Sequence, residues 1–181
     1  MTTSGLPPWA EVGPKRLAHI TRVAELADRW AGELGLPDRE RARWLRAVWL
    51  HDALRDAEES DLRWLAPDFD GPAELIHGPA AARRAAQEGE SDMGVLAAVR
   101  WHSFGSPEWD AVGRALYCAD FLEPGRKHDP EGRAALAARY ADDPEDVLRE
   151  VARIRVTWLV RSGWPIPEIT WRFWNHLVGT R

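Results

Sequence analysis

Cysteine is nearly missing: Cys118 stands alone in 181 residues, so no disulfide can form within the chain, and a reducing cytoplasm is the expected setting. Lysine is as scarce, present only at Lys15 and Lys127, while arginine supplies the remaining basic charge. With a net charge of -5, the chain is a poor general binder of nucleic acid. No apolar run approaches the ~20 residues of a membrane-spanning helix. Residues 1–14 are rich in Pro and Gly and lack the apolar centre of a signal peptide, so they read as a loose leader. There is no alternating strand pattern, no internal repeat and no low-complexity tract. These absences leave an all-α protein, with residues 15–181 as one domain long enough to bury a substantial core.

What the chain does have is helical periodicity and tryptophan. The eleven Trp read as core and interface filling. Leu17, Ile20, Val23, Ala24, Ala27, Trp30 and Leu34 make one apolar stripe, which predicts a helix over about 15–33 with His19 beside it. Gly35 and Pro37 end it, and Asp38 is a candidate cap for the next helix. That helix carries Ala42, Leu45, Val48 and Trp49 and closes on His51-Asp52. Residues 56–72 read as an acidic connection with a short turn near 62–65. Pro79 suits a first helical position, which puts His77 in or just before a cap. A helix from Ser91 ends at Trp101-His102, and Ser106-Pro107-Glu108 reads as the start of another, with Trp109, Val112, Leu116 and Asp120 on one side. Further helices are expected over about 131–141 and 144–162. After a turn at 163–167 comes a last amphipathic helix with Ile169, Trp171, Phe173, Trp174, Leu177 and Val178.

An ionised Asp on an inward face is costly unless something positive meets it. Asp52 and Asp120 are both in that position, so each calls for a buried arginine or a metal ion. Collected together, His19, His51, Asp52, His77, His102 and Asp120 lie on different helical segments or at their ends. Four imidazoles and two carboxylates can hold two divalent first-row metals, with Asp52 bridging through its two oxygens. Nitrogen and oxygen donors without thiolate suit Fe, Mn, Co, Ni or Zn better than Mg or Ca. Two such ions about 3.5–4 Å apart suit hydrolysis of phosphate esters or anhydrides. The plainer reading of any single inward His is a hydrogen-bonded core residue. His128, in a polar loop, reads as solvated; His176 reads as a packing or interface residue, and Cys118 as a small core group.

The pattern resembles the HD-domain metal-dependent phosphohydrolase superfamily. Arg16-Leu17-Ala18-His19, Leu50-His51-Asp52, Ile76-His77-Gly78-Pro79, Trp101-His102-Ser103-Phe104-Gly105 and Tyr117-Cys118-Ala119-Asp120-Phe121-Leu122-Glu123-Pro124-Gly125-Arg126 resemble, in order, the motifs of its YqeK-like group. Those are bacterial HD-domain enzymes that split diadenosine tetraphosphate symmetrically into two ADP. The likeness covers roughly residues 15–178, since the Trp164-Pro165-Ile166-Pro167 turn and last helix also match the group.

The resemblance implies an HD-domain helical bundle and a role for each position. His19, His51, Asp52 and Asp120 would hold one metal, and His77 and His102, sharing Asp52, the second, with iron the first candidate and Mn, Co, Ni or Zn the others. A metal-bound hydroxide would attack a phosphorus of the tetraphosphate bridge, with Asp52 and Arg55 at the reacting centre. Arg22, Arg55, Arg83, Ser103 and Arg126 would meet the substrate. Arg55 stands where the group usually has Lys, and Ser103 replaces a usual Thr. Trp49 beside the His-Asp pair departs from the common small or aliphatic residues. The implied partner is a small-molecule dinucleotide, with no nucleic acid and no membrane; the Trp-rich last helix is core by default, with a homodimer face as the competing reading. The alternatives are a phosphohydrolase of another nucleotide and a catalytically silent nucleotide-binding domain.

Overall fold

A computed structural model describes residues 5–179, and every regular element among them is helical. The first apolar stripe becomes α1 (Pro14–Glu33), with Pro14 in the first turn, where a missing N–H breaks no helical bond. Gly35 closes the helix in the left-handed region at φ 63°. Leu36 N–H then returns to Ala31 O at 2.9 Å and Gly35 N–H to Gly32 O at 3.0 Å, the paired bonds of a Schellman closure. Next comes α2 (Asp38–His51), whose cap position is Pro37; Asp38 lies in the first turn and acts on the helix dipole rather than as a capping acceptor.

Then follow α3 (Glu59–Leu65), a 3-10 turn (Ala73–Leu75), α4 (His77–Gln87), α5 (Met93–Trp101), α6 (Ala111–Leu122), α7 (Pro130–Arg139), α8 (Pro144–Arg161) and α9 (Glu168–Gly179). Three of these starts differ from the sequence-based expectation: α4 begins at His77 itself, with Ile76 as its cap and Pro79 two residues further in. Asp92, not Ser91, caps α5, its carboxylate accepting from Gly94 and Val95 N–H at 3.0 and 3.1 Å. Ser106-Pro107-Glu108 makes a turn instead of opening a helix, and Asp110 caps α6 by accepting from Val112 N–H at 3.0 Å. The later cap prevails because Arg43 of α2 reaches both aspartates, bonding Asp92 at 2.6 and 2.9 Å and Asp110 at 2.8 Å. One guanidinium thus ties the N-termini of two helices to a third.

α2 is the central helix and packs against α1, α4, α5 and α6. Ile20, Val23, Ala47, Val48, Val95, Val99, Val112 and Leu116 form the buried centre of this packing. α8 covers α6 from the far side, and α9 lies on α8. Trp30 stacks on Tyr140 at 3.9 Å and donates its indole N–H to Ala137 O at 2.9 Å, which anchors α7. The last helix buries Thr170, Phe173 and Leu177, a narrower stripe than expected; Trp171 and His176 are exposed.

The expected leader is not loose over its described part, and residues 1–4 lie outside the described residues. Glu11 N–H donates to Ala53 O at 2.7 Å, and Gly13 N–H to the Asp56 carboxylate at 2.8 Å. Leu6, Trp9 and Val12 pack on the core, so this Pro-containing stretch straps the turn after α2. No helix among the described residues is long and apolar enough to cross a membrane.

The Arg43 guanidinium, outweighing burial and helped by the two capped N–H groups, lowers the Asp92 carboxyl from 3.8 to about 2. Asp92 therefore adds stability that is complete above its ordinary value and is lost as pH falls through about 2. Asp92→Ala is expected to cost about 1–2 kcal/mol in denaturant unfolding at pH 7. A cost that stays the same at pH 2 contradicts this account.

Candidate metal centre

His51 is the last residue of α2, and Asp52 is the first beyond it, with φ -112° and ψ 16°. Because Asp52 has left the helix, the two side chains need not diverge by the helical 100° and can enter one cavity. His19 comes from α1, His77 from the start of α4, His102 from the end of α5 and Asp120 from α6. All six side chains are buried.

The two oxygens of Asp52 face different partners. Oδ2 lies 3.7 Å from His19 Nε2 and 3.6 Å from His51 Nε2. Oδ1 lies 3.1 Å from His77 Nε2 and 3.7 Å from His102 Nε2. Two donor groups result, His19 with His51 and Asp120, and Asp52 with His77 and His102; within each, the ligand atoms lie within 4.8 Å of one another. Asp52 stands between them.

The outer ring nitrogens explain how the inner ones are aimed. His51 Nδ1 meets Val48 O at 2.6 Å, His77 Nδ1 meets Glu74 O at 3.0 Å, and His102 Nδ1 meets Val99 O at 2.8 Å. A carbonyl only accepts, so each Nδ1 carries a proton, and in a neutral ring the inward Nε2 then offers a lone pair. In His51 that lone pair is buried with no hydrogen-bond partner. In His77 and His102 the two Nε2 atoms are 3.1 Å apart. Two lone pairs at that distance repel unless a proton or a cation lies between them. Gly78 makes this approach feasible: a Cβ there would meet Val99 O at 3.0 Å and His102 Cε1 at 3.1 Å.

The electrostatics follow from this packing. Burial lowers the His51 pKa, and burial with His51 and His77 nearby brings His102 down to about 3, so both stay neutral acceptors. Burial opposes ionisation of Asp52, yet its carboxyl is held well below the usual range by His51, His77 and His102, a hold these rings exert only with a proton or cation among them. Asp120 is held down likewise, by His19, Arg126 and Arg155. His19 behaves differently. Burial lowers its pKa, but bonds to Asp120 and Glu123 outweigh that and raise it to about 9.

Of the five expected substrate contacts, three bond side chains of the site or its surroundings. Ser103 Oγ is 3.1 Å from His102 Nε2. Arg126 bonds the Asp120 carboxylate and, at 2.9 Å, its carbonyl. Arg22 grips Glu123 at 2.5 Å. Arg55 is half-buried in the turn after Asp52, its N–H bonded to Asp52 O at 3.0 Å. Arg83 is exposed on α4; six residues past His77, it points about 120° away around the helix.

Three further side chains complete the surroundings without having been singled out from sequence. Arg16 bonds Asp52 Oδ2 at 2.7 Å, Arg155 bonds Asp120 Oδ2 at 3.1 Å, and Glu123 accepts from His19 Nδ1 at 3.1 Å. Arg16 and Glu123 had a local signal, each three residues from a candidate ligand on the same helix or its cap. Arg155 had none, since α8 reaches the site only through tertiary packing.

Comparison with known proteins places this geometry in context. The HD domain family matches residues 16–142. The symmetrical bis(5'-nucleosyl)-tetraphosphatase of Halalkalibacterium halodurans is 27% identical over 172 residues, 90% of this chain and 89% of that protein. The Bacillus subtilis protein of the same name is 27% identical over 111 residues, 61% of this chain and 59% of that one. The crystal structure of a predicted HD superfamily hydrolase involved in NAD metabolism from Clostridium acetobutylicum superposes with a TM-score of 0.82. It is 22% identical and covers 94% of this chain and 92% of its own, a likeness of fold.

His19 in the metal-free protein adds stability that is complete below its ordinary value of 6.5 and is lost as pH rises through about 9. Glu123→Gln removes one of the two carboxylates responsible. NMR titration of the metal-free variant is expected to show His19 losing its proton at lower pH than in the wild type. An unmoved titration would rule out the Glu123 contact as a cause.

Proposed function

This chain belongs to the HD-domain family, and from that premise we propose that it hydrolyses diadenosine tetraphosphate symmetrically to two ADP. The observation that carries the reading is Asp52, one carboxylate whose two oxygens face two separate groups of inward-aimed nitrogen and oxygen donors. The buried, unpartnered His51 Nε2 and the close pair of His77 and His102 lone pairs fit cations there. We assign one ion to His19, His51, Asp52 and Asp120, and a second to His77, His102 and Asp52. Nitrogen and oxygen donors without thiolate favour first-row metals, and we take iron as the first candidate. Metal ions bound at these positions supply an activated water and draw off negative charge from a phosphoryl group.

The chain's own residues hold and orient around that chemistry. Val48, Glu74 and Val99 carbonyls and the Glu123 carboxylate fix the four imidazole rings through their outer nitrogens. Arg126 and Arg155 grip Asp120, and Arg16 grips Asp52, so both carboxylates keep their orientation. Arg126, Arg22, Arg55 and the Ser103 hydroxyl are assigned to the phosphate oxygens, with Arg55 and Asp52 at the reacting centre. Arg83 can meet only a portion of substrate that extends past the outer face of α4. Water adds to an inner phosphorus, the bond to the central bridging oxygen breaks, and ADP departs without needing a strong acid.

We treat α1 to α9 as one domain, because α8 and α9, beyond the matched segment, pack onto α6 and each other and bring Arg155 to the site. Exposed Trp158, Val160, Trp164 and Trp171 support a homodimer face. The acidic net charge supports a small-molecule substrate over nucleic acid, and the lone buried Cys118 supports a reducing cytoplasm.

Incubation of metal-loaded protein with diadenosine tetraphosphate is expected to give ADP alone. ATP plus AMP, or no cleavage while mononucleotides lose phosphate, rejects the reading. Asp52→Ala is expected to abolish cleavage and both bound metals. His77→Ala is expected to lower the metal content from two ions to one, measured by elemental analysis.

A further inference from the structure

Beside Glu123, a groove of about 580 Å³ runs between α1 and α7, a volume in the range of small-ligand pockets. Its near end holds Arg22, Arg126 and Arg133, next to Glu123 and the metal centre. From Arg22 to Glu33, α1 carries the groove about 16 Å outward. Leu26 walls one side, and Ala134, Ala137 and Ala138 leave room on the other.

Arg133 is the distinctive residue. Arg22 and Arg126 are engaged with Glu123 and Asp120. Half-buried Arg133 instead donates to two backbone carbonyls, His128 O at 2.7 Å and Phe121 O, and lies over the Phe121 ring at 3.8 Å. No carboxylate forms an ion pair with it among the described residues. Burial, followed by the charges of Arg126 and Arg155, lowers its proton affinity, a sign of how closely these cations crowd. A partly desolvated guanidinium among like charges, with only neutral partners, is suited to an anion.

We infer that this groove is a second nucleotide subsite: Arg133 and Arg126 take phosphate oxygens of one nucleoside diphosphate half of the substrate, and Leu26 with the α7 alanines takes its base. The inference rests on the reaction proposed above, in which a symmetrical cut leaves one such half on each side of Asp52. At the near end Arg22, Arg126 and Arg133 outnumber Glu25 and Glu123, whereas the outer end carries Glu33 balanced by Arg29 at 3.7 Å, a neutral pair whose carboxylate accepts from ribose hydroxyls or an adenine amino group.

Equilibrium dialysis of ADP against metal-loaded protein tests the subsite apart from turnover. The wild type is expected to bind two ADP per chain, and Arg133→Ala or the groove-filling Ala134→Trp only one, with metal content unchanged. The second affinity should fall about tenfold or more, the scale of one lost charge-assisted bond. If Arg133→Ala fails to fold, Ala134→Trp carries the test. One ADP in the wild type, or two at unchanged affinity in both variants, overturns the subsite. Cleavage of diadenosine tetraphosphate with groove-insensitive ADP binding rejects the subsite alone. Loss of the second ADP in the variants of a protein that does not cleave rejects only the hydrolase.

Discussion

A buried carboxylate sits at the centre of this molecule and must be met by positive charge. Asp52 lies buried at the end of the central helix, where an unpaired ion would cost several kcal/mol. Arg16 meets one oxygen directly, but four imidazole nitrogens also point at the same group. Three of those rings commit their Nδ1 proton to a carbonyl outside the cluster. A cavity lined by two carboxylates and inward lone pairs is electron-rich in every direction except that of the arginines. The rest of the architecture can be understood as the means of holding that arrangement together.

Helix ends are what make it possible. His51 ends α2 and His102 directly follows α5, where the last backbone carbonyls remain free to accept from an outer ring nitrogen, while His77 opens α4 and turns its outer nitrogen to Glu74 O of the preceding 3-10 turn. The left-handed Gly105, at φ 87°, turns the chain away just after His102 and brings its Cα against Phe173 of α9. The strap formed by residues 5–13 pins the turn that carries Asp52. The centre is therefore assembled from element termini, each fixed by hydrogen bonds outside the cavity.

Charged side chains in turn grip the residues of the centre from outside. Glu123 joins His19 to Arg22, with Gly125 N–H at 2.6 Å completing its coordination, and burial is overcome so that its carboxyl falls to about 2. Arg126 and Arg155 approach Asp120 from different elements, and Arg133 adds a third cation beside them. Counting these guanidiniums against Asp120 and Glu123 leaves an excess of positive charge on one side of the site. That excess would be of little use to a purely structural ion-pair network, and it matches a polyphosphate.

Sequence alone determined the helical character, because periodic apolar stripes such as Leu17 to Leu34 have only one economical way to be buried. It also determined the six polar side chains with no place on an apolar face, since burying His or Asp demands a reason whatever the fold. Tertiary structure decided the rest. The α6 start moved from Ser106 to Asp110 because Arg43, 67 residues away, supplied a partner to the later cap. Arg155 entered the site, and Arg83 did not, because the first depends on how α8 crosses α6 and the second on rotation around α4. Which oxygen of Asp52 faces which histidine is likewise a matter of three dimensions: distances between helices are set by packing, and no local stretch of residues encodes them.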